Sequence, residues 1–203
     1  MKGLHLVTDR ALCGARGLDE VVQQAVAGGV ASVQLREKTL STRDFVEAAA
    51  RLVALLAPTQ TPLIINDRLD VALAAGAQGV HLGQSDLPAE LARKILGPGA
   101  IIGLSVETWA DVERAEGQPV DYLGVSPVFA TPTKADTQRP WGLEGVARIR
   151  AFSRHPLVAI GGLNESNIGQ TVRAGAVGIA VVSAICAAAD PRVAAQALVR
   201  QMQ

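Results

Sequence analysis

The stretch AGGVASVQLREK, residues 27–38, carries the pattern that decides the fold of this chain. Two glycines end a helical pattern, and a short apolar run follows them directly. The same order of helix end, glycine and apolar run recurs in AGAQGV at 75–80 and in AGAVGI at 174–179. Because glycine commonly ends helices, each copy predicts a junction between a helix and the next strand. The repeat is structural and by itself indicates no ligand.

Outward from these junctions, short apolar runs and helical patterns alternate eight times. Strands are predicted at 4–8, 32–36, 63–65, 79–82, 101–105, 122–125, 157–160 and 178–181. Helices are predicted at 18–27, 42–56, 68–75, 88–96, 108–116, 143–152, 165–173 and 191–202. Strands that are apolar on both faces and alternate with helices form parallel sheets. Eight such units predict an α/β fold with one domain over residues 1–203, a compact single (β/α)8 TIM barrel.

The composition argues against several classes of function. The chain has 203 residues with 19 basic and 19 acidic side chains, and 3% of its residues are aromatic. Balanced charge and few aromatic rings disfavour nucleic acid and anionic membranes as partners. The longest uncharged run, 174–189, is too short and too weakly apolar to span a bilayer. With no signal peptide before the first strand, we expect a cytoplasmic protein with Cys13 and Cys186 reduced.

The polar residues at the end of the second strand are the first candidates for a binding site. Active sites of (β/α)8 barrels lie at the C-terminal ends of the strands. Since alternate residues of a strand point to the same side, Gln34, Arg36 and Lys38 share the inward face. Two cations at the barrel mouth suit a phosphate or diphosphate. The alternative is a surface salt bridge between one of these cations and Glu37.

Three further polar residues follow the third and fourth strands. Asn66 and Asp67 end the third, and Asp86 follows the fourth. Each could instead cap the next helix, because Asn and Asp are favoured at that position. The two carboxylates end neighbouring parallel strands, however, and can approach one another. Since Mg²⁺ typically takes one or two carboxylates plus substrate phosphate oxygens, Asp67 and Asp86 are candidate magnesium ligands.

The fifth, seventh and eighth strands end in small residues. Ser105 is predicted to face inward from the fifth strand. The glycine pair Gly161 and Gly162 follows the seventh strand, and Ser183 follows the eighth. This arrangement matches the phosphate cradle that recurs in such barrels, in which backbone N–H groups bind the anion. Simple tight turns are the alternative.

The longest connection, 126–142, lies between the sixth strand and the next helical pattern. Its seventeen residues include three prolines, four Ser or Thr hydroxyls and Lys134. Connections of this length are uncommon in compact domains unless they are functional or disordered. A loose surface loop is one interpretation. The other is an active-site loop from which Lys134 reaches between a diphosphate site and a monophosphate site. This division suggests two phosphorylated substrates and a transfer reaction with a diphosphate leaving group.

The histidines are better explained as structural residues. His81 has inward parity and, like His5 on the first strand, is expected to be a hydrogen-bonded core histidine. His155 precedes a proline in a loop and is expected to be solvated.

Taken together, the polar segments resemble the thiamine-phosphate synthase family. The matching segments are VTDR at 7–10, QLREK at 34–38, NDR at 66–68, HLGQSD at 81–86 and SPVFATPTK at 126–134. The resemblance extends from the first strand to Ser183. It implies a (β/α)8 transferase that joins 4-amino-2-methyl-5-(diphosphooxymethyl)pyrimidine to a methylthiazole, plain or carboxylated, that carries an ethyl phosphate. The products would be thiamine phosphate and diphosphate, and we hypothesise a dissociative substitution.

The resemblance also assigns residues, position by position. It implies that the pyrimidine diphosphate is bound by Gln34, Leu35, Arg36, Glu37, Lys38, Asn66, Ser105 and Lys134. It implies that the thiazole phosphate is bound by Thr131, Pro132, Thr133, Gly162, Val182 and Ser183. Asp67 and Asp86 would bind the Mg²⁺ cofactor. Catalytic roles are expected for Arg36, Lys38, Ser105 and Lys134. The family often has Tyr where His5 stands, so pyrimidine contacts at this place are expected to differ.

Three rival functions are weighed against this interpretation. The related thiazole tautomerases use a His just after the sixth strand, where this chain has Ser126 and Pro127. A phosphate-barrel isomerase would need a matched acid–base pair, and none is convincing here. A non-catalytic phosphate-ligand sensor would not need the whole set of diphosphate ligands. The sequence leaves the oligomeric state open, and a homo-oligomer is compatible with it.

Overall fold

Eight parallel strands close into a barrel in the computed structural model, which describes residues 1–131 and 139–203. Each strand pairs with the next along the chain, and the last strand pairs with the first through Gly3 and Gly178. The strands are β1 (Gly3–Val7), β2 (Val30–Leu35), β3 (Leu63–Asn66), β4 (Gly79–Leu82), β5 (Ile101–Val106), β6 (Tyr122–Val125), β7 (Leu157–Ile160) and β8 (Gly178–Val181). The predicted (β/α)8 barrel is therefore confirmed.

Helices surround the barrel and include the eight that were predicted. They are α1 (Arg10–Cys13), α2 (Leu18–Ala27), α3 (Thr42–Leu56), α4 (Leu69–Ala75), α5 (Ala89–Leu96), α6 (Trp109–Ala115), α7 (Gly142–Phe152), α8 (Ile168–Arg173), α9 (Ser183–Cys186) and α10 (Pro191–Arg200). The short helices α1 and α9 were not predicted, nor were the 3₁₀ turns Gly14–Arg16 and Ala57–Thr59. Four-residue helices are too short to show a periodic apolar pattern.

Local side-chain chemistry explains where several helices begin. The Ser41 hydroxyl accepts a hydrogen bond from the backbone N–H of Asp44 at the start of α3. Thr108 and Asp111 form a reciprocal capping box at the start of α6, which satisfies backbone donors that would otherwise lack partners. Asp190 caps α10, whose first residue is a proline. These caps place the helix boundaries within one or two residues of the predicted positions.

Two apolar layers hold the barrel together. The larger lies between the sheet and the helices and includes Val33 and Leu35, whose side chains point away from the barrel axis into this layer. The smaller lies inside the barrel and contains Val7, Tyr122, Val158 and Ala180. Because the inner cluster is small, polar side chains occupy the barrel interior near the C-terminal ends of the strands.

His155 corrects one expectation. It is buried rather than solvated, and its Nε2 lies 3.1 Å from the backbone oxygen of Ala115 at the end of α6. His5 is also buried, as predicted, and its Nδ1 lies 2.7 Å from the Ser32 hydroxyl on β2. In the two described ranges of the chain, no helix has the length and apolarity that crossing a bilayer requires.

Candidate active site

A cavity of about 980 Å³ opens at the carboxyl ends of the strands. Every strand or the loop that follows it contributes to its wall. The lining includes these predicted site residues: Gln34, Arg36, Lys38, Asn66, Asp67, Asp86, Ser105, Thr131, Gly162, Val182 and Ser183. The predicted residues Pro132, Thr133 and Lys134 lie outside the described residues. Residues from most of the chain therefore meet at one end of the barrel.

The end of β2 directs its cations into this cavity. Arg36 and Lys38 both line the wall, and the backbone N–H of Arg36 donates to the Thr8 hydroxyl at 3.0 Å. Glu37 points elsewhere, since its carboxylate accepts hydrogen bonds from Arg10 at 2.6 and 2.9 Å. The alternative pairing of Glu37 with Arg36 or Lys38 is thus not formed.

Leu35 and Glu37 are the two predicted binding residues in the described chain whose side chains do not line the cavity. The Leu35 side chain is 0% exposed and packs in the layer beneath the helices. The Glu37 side chain is held by Arg10. Any contact of these two residues with a ligand in the cavity would therefore have to use their backbone groups.

Asp67 and Asp86 lie next to each other across the ends of β3 and β4. Burial and then the neighbouring Asp67 carboxyl raise the pKa of Asp86, although the Gly83 N–H bond acts in the opposite direction. Lys38 donates to Asp67 at 2.6 Å, and Gly83 donates to Asp86 at 2.7 Å. The site thus brings two carboxylates together with one lysine that faces them.

The alternative prediction, that Asn66, Asp67 or Asp86 caps the helix that follows it, is wrong. Arg68 occupies the position before α4 and Pro88 the position before α5, and neither helix receives a side-chain cap. Asp67 has φ +62°, a left-handed conformation that Asp tolerates better than most residues. Its backbone N–H donates to the His81 oxygen at 2.8 Å, which extends the β3–β4 pairing by one residue and holds the carboxylate at the cavity.

This pair of carboxylates fits a hard divalent cation. Mg²⁺ is commonly held by one or two carboxylates, with water and substrate phosphate oxygens as its other ligands. Over residues 1–131 and 139–203, the structure contains no group of three or more His, Cys, Asp or Glu side chains arranged for a metal. The neighbouring carboxylates of Asp67 and Asp86 match the smaller donor set that magnesium accepts.

Deeper in the barrel, three polar side chains form a connected row. Ser105 Oγ lies 2.8 Å from Nε2 of His81, and Nδ1 of His81 lies 2.9 Å from the Tyr122 hydroxyl. A Cβ on Gly103 would lie 2.1 Å from the Tyr122 ring and 2.5 Å from Nδ1 of His81. A glycine at position 103 is thus needed for both rings to fit. Burial raises the pKa of Tyr122, so its hydroxyl keeps its proton.

On the opposite wall, the loops after β6 and β7 run side by side. Phe129 N–H donates to the Gly161 oxygen at 3.0 Å. Gly162 has φ +66°, and a Cβ there would lie 2.7 Å from the Ala130 oxygen. Val182 and Ser183, which lead into α9, complete this glycine-rich wall. The backbone can approach a ligand closely here because no side chain stands at Gly162.

Sequence reasoning missed two features of this region. Tyr122 was interpreted only as part of a strand, although it is the chain's single tyrosine and has inward parity. Cys13 and Cys186 are distant in sequence, but their thiols contact each other where α1 packs against α9, and the hydrogen bond with Cys13 together with burial raises the pKa of Cys186. The tyrosine could have been found from parity, whereas the cysteine contact depends on barrel closure.

A closed parallel barrel with a polar cavity at the carboxyl ends of its strands is the architecture of the (β/α)8-barrel enzymes. Within that class, the family model described as thiamine monophosphate synthase matches residues 4–185. The chain therefore belongs to the thiamine monophosphate synthase family. Members of this family are transferases of thiamine biosynthesis, and so is this chain.

Individual relatives agree with the family match. The thiamine-phosphate synthase of Albidiferax ferrireducens is 61% identical over 192 residues, which are 95% of this chain and 88% of that protein. The thiamine-phosphate synthase of Leptospira biflexa is 53% identical over 205 residues, with 99% and 98% covered. The solved structure of thiamine phosphate pyrophosphorylase from Pyrococcus furiosus superposes with a TM-score of 0.89 at 38% identity, covering 98% of this chain and 95% of that one. The family resemblance noted in the sequence is confirmed.

Proposed function

We propose that this enzyme joins 4-amino-2-methyl-5-(diphosphooxymethyl)pyrimidine to a methylthiazole ethyl phosphate and releases diphosphate. The observation that carries the proposal is the division of the cavity. Cations and paired carboxylates lie on the β2–β4 side, and a glycine-rich wall lies on the β7–β8 side. This division supports separate sites for a diphosphate and a monophosphate, which a condensation of these two substrates requires.

The diphosphate would lie over β2 to β4. Arg36 and Lys38 supply positive charge there, and guanidinium and ammonium groups form strong charge-assisted hydrogen bonds with phosphate. Asp67 and Asp86 would hold Mg²⁺, which when bound would neutralise charge on the leaving diphosphate. Lys38, which pairs with Asp67 at 2.6 Å in this structure, is close enough to the carboxylates to contact an anion that binds beside them.

The pyrimidine ring would occupy the barrel interior below this site. Gln34, Asn66 and Ser105 line that space from β2, β3 and β5, and together they offer donors and acceptors for an aminopyrimidine. Leu35 and Glu37 would contribute through backbone groups. His5 occupies the base of the same cavity, so pyrimidine contacts there would differ from those of relatives with Tyr.

The thiazole phosphate would lie against the glycine-rich wall. Gly162, Val182 and Ser183 line it, and backbone N–H groups in such positions bind anions without side-chain charge. Thr131, Pro132 and Thr133 would complete the site from the long connection after β6. This orientation would point the thiazole nitrogen toward the pyrimidine methylene carbon.

We propose a dissociative substitution. The 4-amino group donates electron density through the pyrimidine ring, so the bond between the exocyclic methylene carbon and the diphosphate oxygen breaks with both electrons leaving on oxygen. The thiazole nitrogen lone pair then forms the new bond to that carbon. Arg36, Lys38 and Lys134 stabilise the departing diphosphate, a preorganised electrostatic contribution. Neither a side-chain nucleophile nor a strong general base is required, and Ser105 acts by holding the ring.

The test is a two-product assay. Purified enzyme is mixed with the pyrimidine diphosphate, the thiazole phosphate and Mg²⁺, and diphosphate and thiamine phosphate are measured together. We expect both products in equal amounts, a rate that EDTA abolishes, and recovery when excess Mg²⁺ is returned. Diphosphate release without the thiazole substrate at the same rate, or a rate indifferent to EDTA, would contradict the proposed reaction or its metal requirement.

A further inference from the structure

The direction of the hydrogen bonds in the row formed by Ser105, His81 and Tyr122 follows from the burial of the tyrosine hydroxyl. Tyr122 is 3% exposed, and burial raises its pKa, so the hydroxyl carries its proton. Within residues 1–131 and 139–203, the partner of this hydroxyl is Nδ1 of His81, at 2.9 Å. If the hydroxyl accepted a bond from Nδ1, its own buried proton would lack an acceptor in this part of the chain, which is costly. Tyr122 therefore donates to His81.

Because Tyr122 donates its hydrogen bond, it determines which His81 nitrogen carries the proton and whether the Ser105 hydroxyl accepts or donates. Nδ1 of His81 accepts and so carries no proton, which places the proton of the neutral imidazole on Nε2. Nε2 then donates to Ser105 Oγ across 2.8 Å. A hydroxyl that accepts at its oxygen still has a proton to donate. That proton is free to point into the cavity, which Ser105 lines.

The surrounding backbone holds these groups in place. His81, Gly103 and Tyr122 stand at the same level of three neighbouring strands, since His81 pairs with Gly103 and Gly103 with Tyr122. Gly103 leaves the space that both rings occupy, and a Cβ on Gly124 would lie 2.8 Å from the His81 ring. Gln84 donates to the Ser105 backbone oxygen at 2.6 Å. The row is thus confined on several sides by the backbone of neighbouring strands.

We propose that Tyr122 and His81 are positioning residues that make the Ser105 hydroxyl a hydrogen-bond donor to a ring nitrogen of the pyrimidine substrate. If the hydrogen bonds ran the other way, with Ser105 donating to His81, the Ser105 hydroxyl would accept a bond from the substrate amino group instead. The inference rests on the proposed function, because that function places the pyrimidine in the barrel interior. It assigns a role to two residues that do not themselves take part in the substitution.

Removing one hydroxyl tests the role in catalysis. In Tyr122→Phe, the KM for the pyrimidine diphosphate should rise about 3- to 10-fold, the range expected for the loss of one neutral hydrogen bond. The kcat and the KM for the thiazole phosphate should change less than about twofold. Ser153→Ala is the matched control, because it removes a buried hydroxyl near the N-terminal end of β7, away from the cavity. It should leave both KM values unchanged.

A double variant shows whether Tyr122 acts through Ser105. Ser105→Ala alone should raise the KM for the pyrimidine diphosphate, and adding Tyr122→Phe should raise it no further, because coupled residues are not additive. Independent, multiplying effects of the two substitutions would overturn the proposal. So would a Tyr122→Phe enzyme whose KM for the pyrimidine diphosphate equals that of the unaltered enzyme.

Nitrogen NMR of the free enzyme tests which His81 nitrogen carries the proton, and it needs no substrate. In protein labelled with ¹⁵N-histidine, the His81 signals, assigned by their loss in His81→Asn, should report an unprotonated Nδ1 and a protonated Nε2. Tyr122→Phe should shift them toward a mixture of tautomers. A proton on Nδ1 in the unaltered enzyme would overturn the inference even if every variant folded poorly. If the unaltered enzyme forms no thiamine phosphate, the proposed function fails, whereas normal turnover with the wrong tautomer contradicts this inference alone.

Discussion

Replacing Gly162 by alanine is the sharpest test of the glycine-rich wall, because Gly76 provides a matched control. Both glycines are left-handed, with φ +66° and φ +69°. An L-residue in that conformation costs about 1–2 kcal/mol, and both variants share this cost. A Cβ at position 76 would have no heavy atom within 4 Å, whereas one at position 162 would lie 2.7 Å from the Ala130 oxygen. The comparison therefore isolates the crowding at Gly162.

The difference in stability can be estimated from this crowding. The new methyl at position 162 would also lie 2.8 Å from the Phe129 side chain, and overpacking of this kind costs about 1–3 kcal/mol. We expect Gly162→Ala to lose about 2–5 kcal/mol and Gly76→Ala about 1–2 kcal/mol. At about 2–4 °C per kcal/mol for a chain of this size, Gly162→Ala should melt several degrees below Gly76→Ala.

Gly162→Ala should also change the KM for one substrate much more than the KM for the other. Displacing the wall by about 1 Å disturbs groups that position the thiazole phosphate, and misplacement on that scale costs up to about 10²-fold. We expect the KM for the thiazole phosphate to rise about tenfold or more in Gly162→Ala, with the KM for the pyrimidine diphosphate little changed. Gly76→Ala should leave both values unaltered.

Thermal unfolding followed by circular dichroism, and initial rates with each substrate varied in turn, measure these quantities. If Gly162→Ala melts no lower than Gly76→Ala, the crowding argument is refuted. If it melts lower but keeps the original KM for the thiazole phosphate, the assignment of this wall to the phosphate is refuted.

Three further predictions address the charged groups and one buried histidine. Lys134→Ala should lower turnover by about 10²-fold, the usual cost of losing one well-placed group that stabilises developing charge; a steady-state assay with unchanged turnover would refute its role. Asp67→Ala and Asp86→Ala should each raise the Mg²⁺ concentration needed for half-maximal rate, and an unaltered metal titration would contradict the metal assignment. Desolvation lowers the pKa of His5 from 6.5 to about 4, although a bond to the Met1 carbonyl opposes it. Its neutral form therefore contributes stability that is present above pH 6.5 and is lost as the pH falls toward 4, by up to about 3 kcal/mol. Urea unfolding measures the free energy of unfolding at pH 7 and at pH 4.5. Its decrease between these two pH values should be smaller for His5→Asn than for the unaltered protein, and equal decreases would count against the argument.

Much of the fold could be predicted because its signals are local. Strands β4, β6, β7 and β8 have the predicted bounds to the residue, as do α2 and α3. A short apolar run between a glycine and a polar turn fits few structures other than a buried strand. An amphipathic helix repeats its apolar pattern over several turns. The four-residue helices α1 and α9 lacked such a repeat and were missed.

The candidate site was partly predictable for the same reason. Strand parity placed Gln34, Arg36 and Lys38 on the inward face, and all three line the cavity. Parity could not show that Glu37 pairs with Arg10, nor that the helix-cap explanation of Asp67 and Asp86 fails, because both depend on how neighbouring loops pack. The magnesium, the substrate contacts and the role of Lys134 stay predictions.

The sequence by itself determined the strand–helix alternation, the direction in which each strand residue points, and the family. Only the tertiary structure decided which side chains meet across the barrel. Ser105, His81 and Tyr122 are separated by as many as 41 residues and come together because β4, β5 and β6 pair in one particular register. That register follows from closing eight strands around a shared interior, a constraint on the whole sheet that no local stretch of sequence contains.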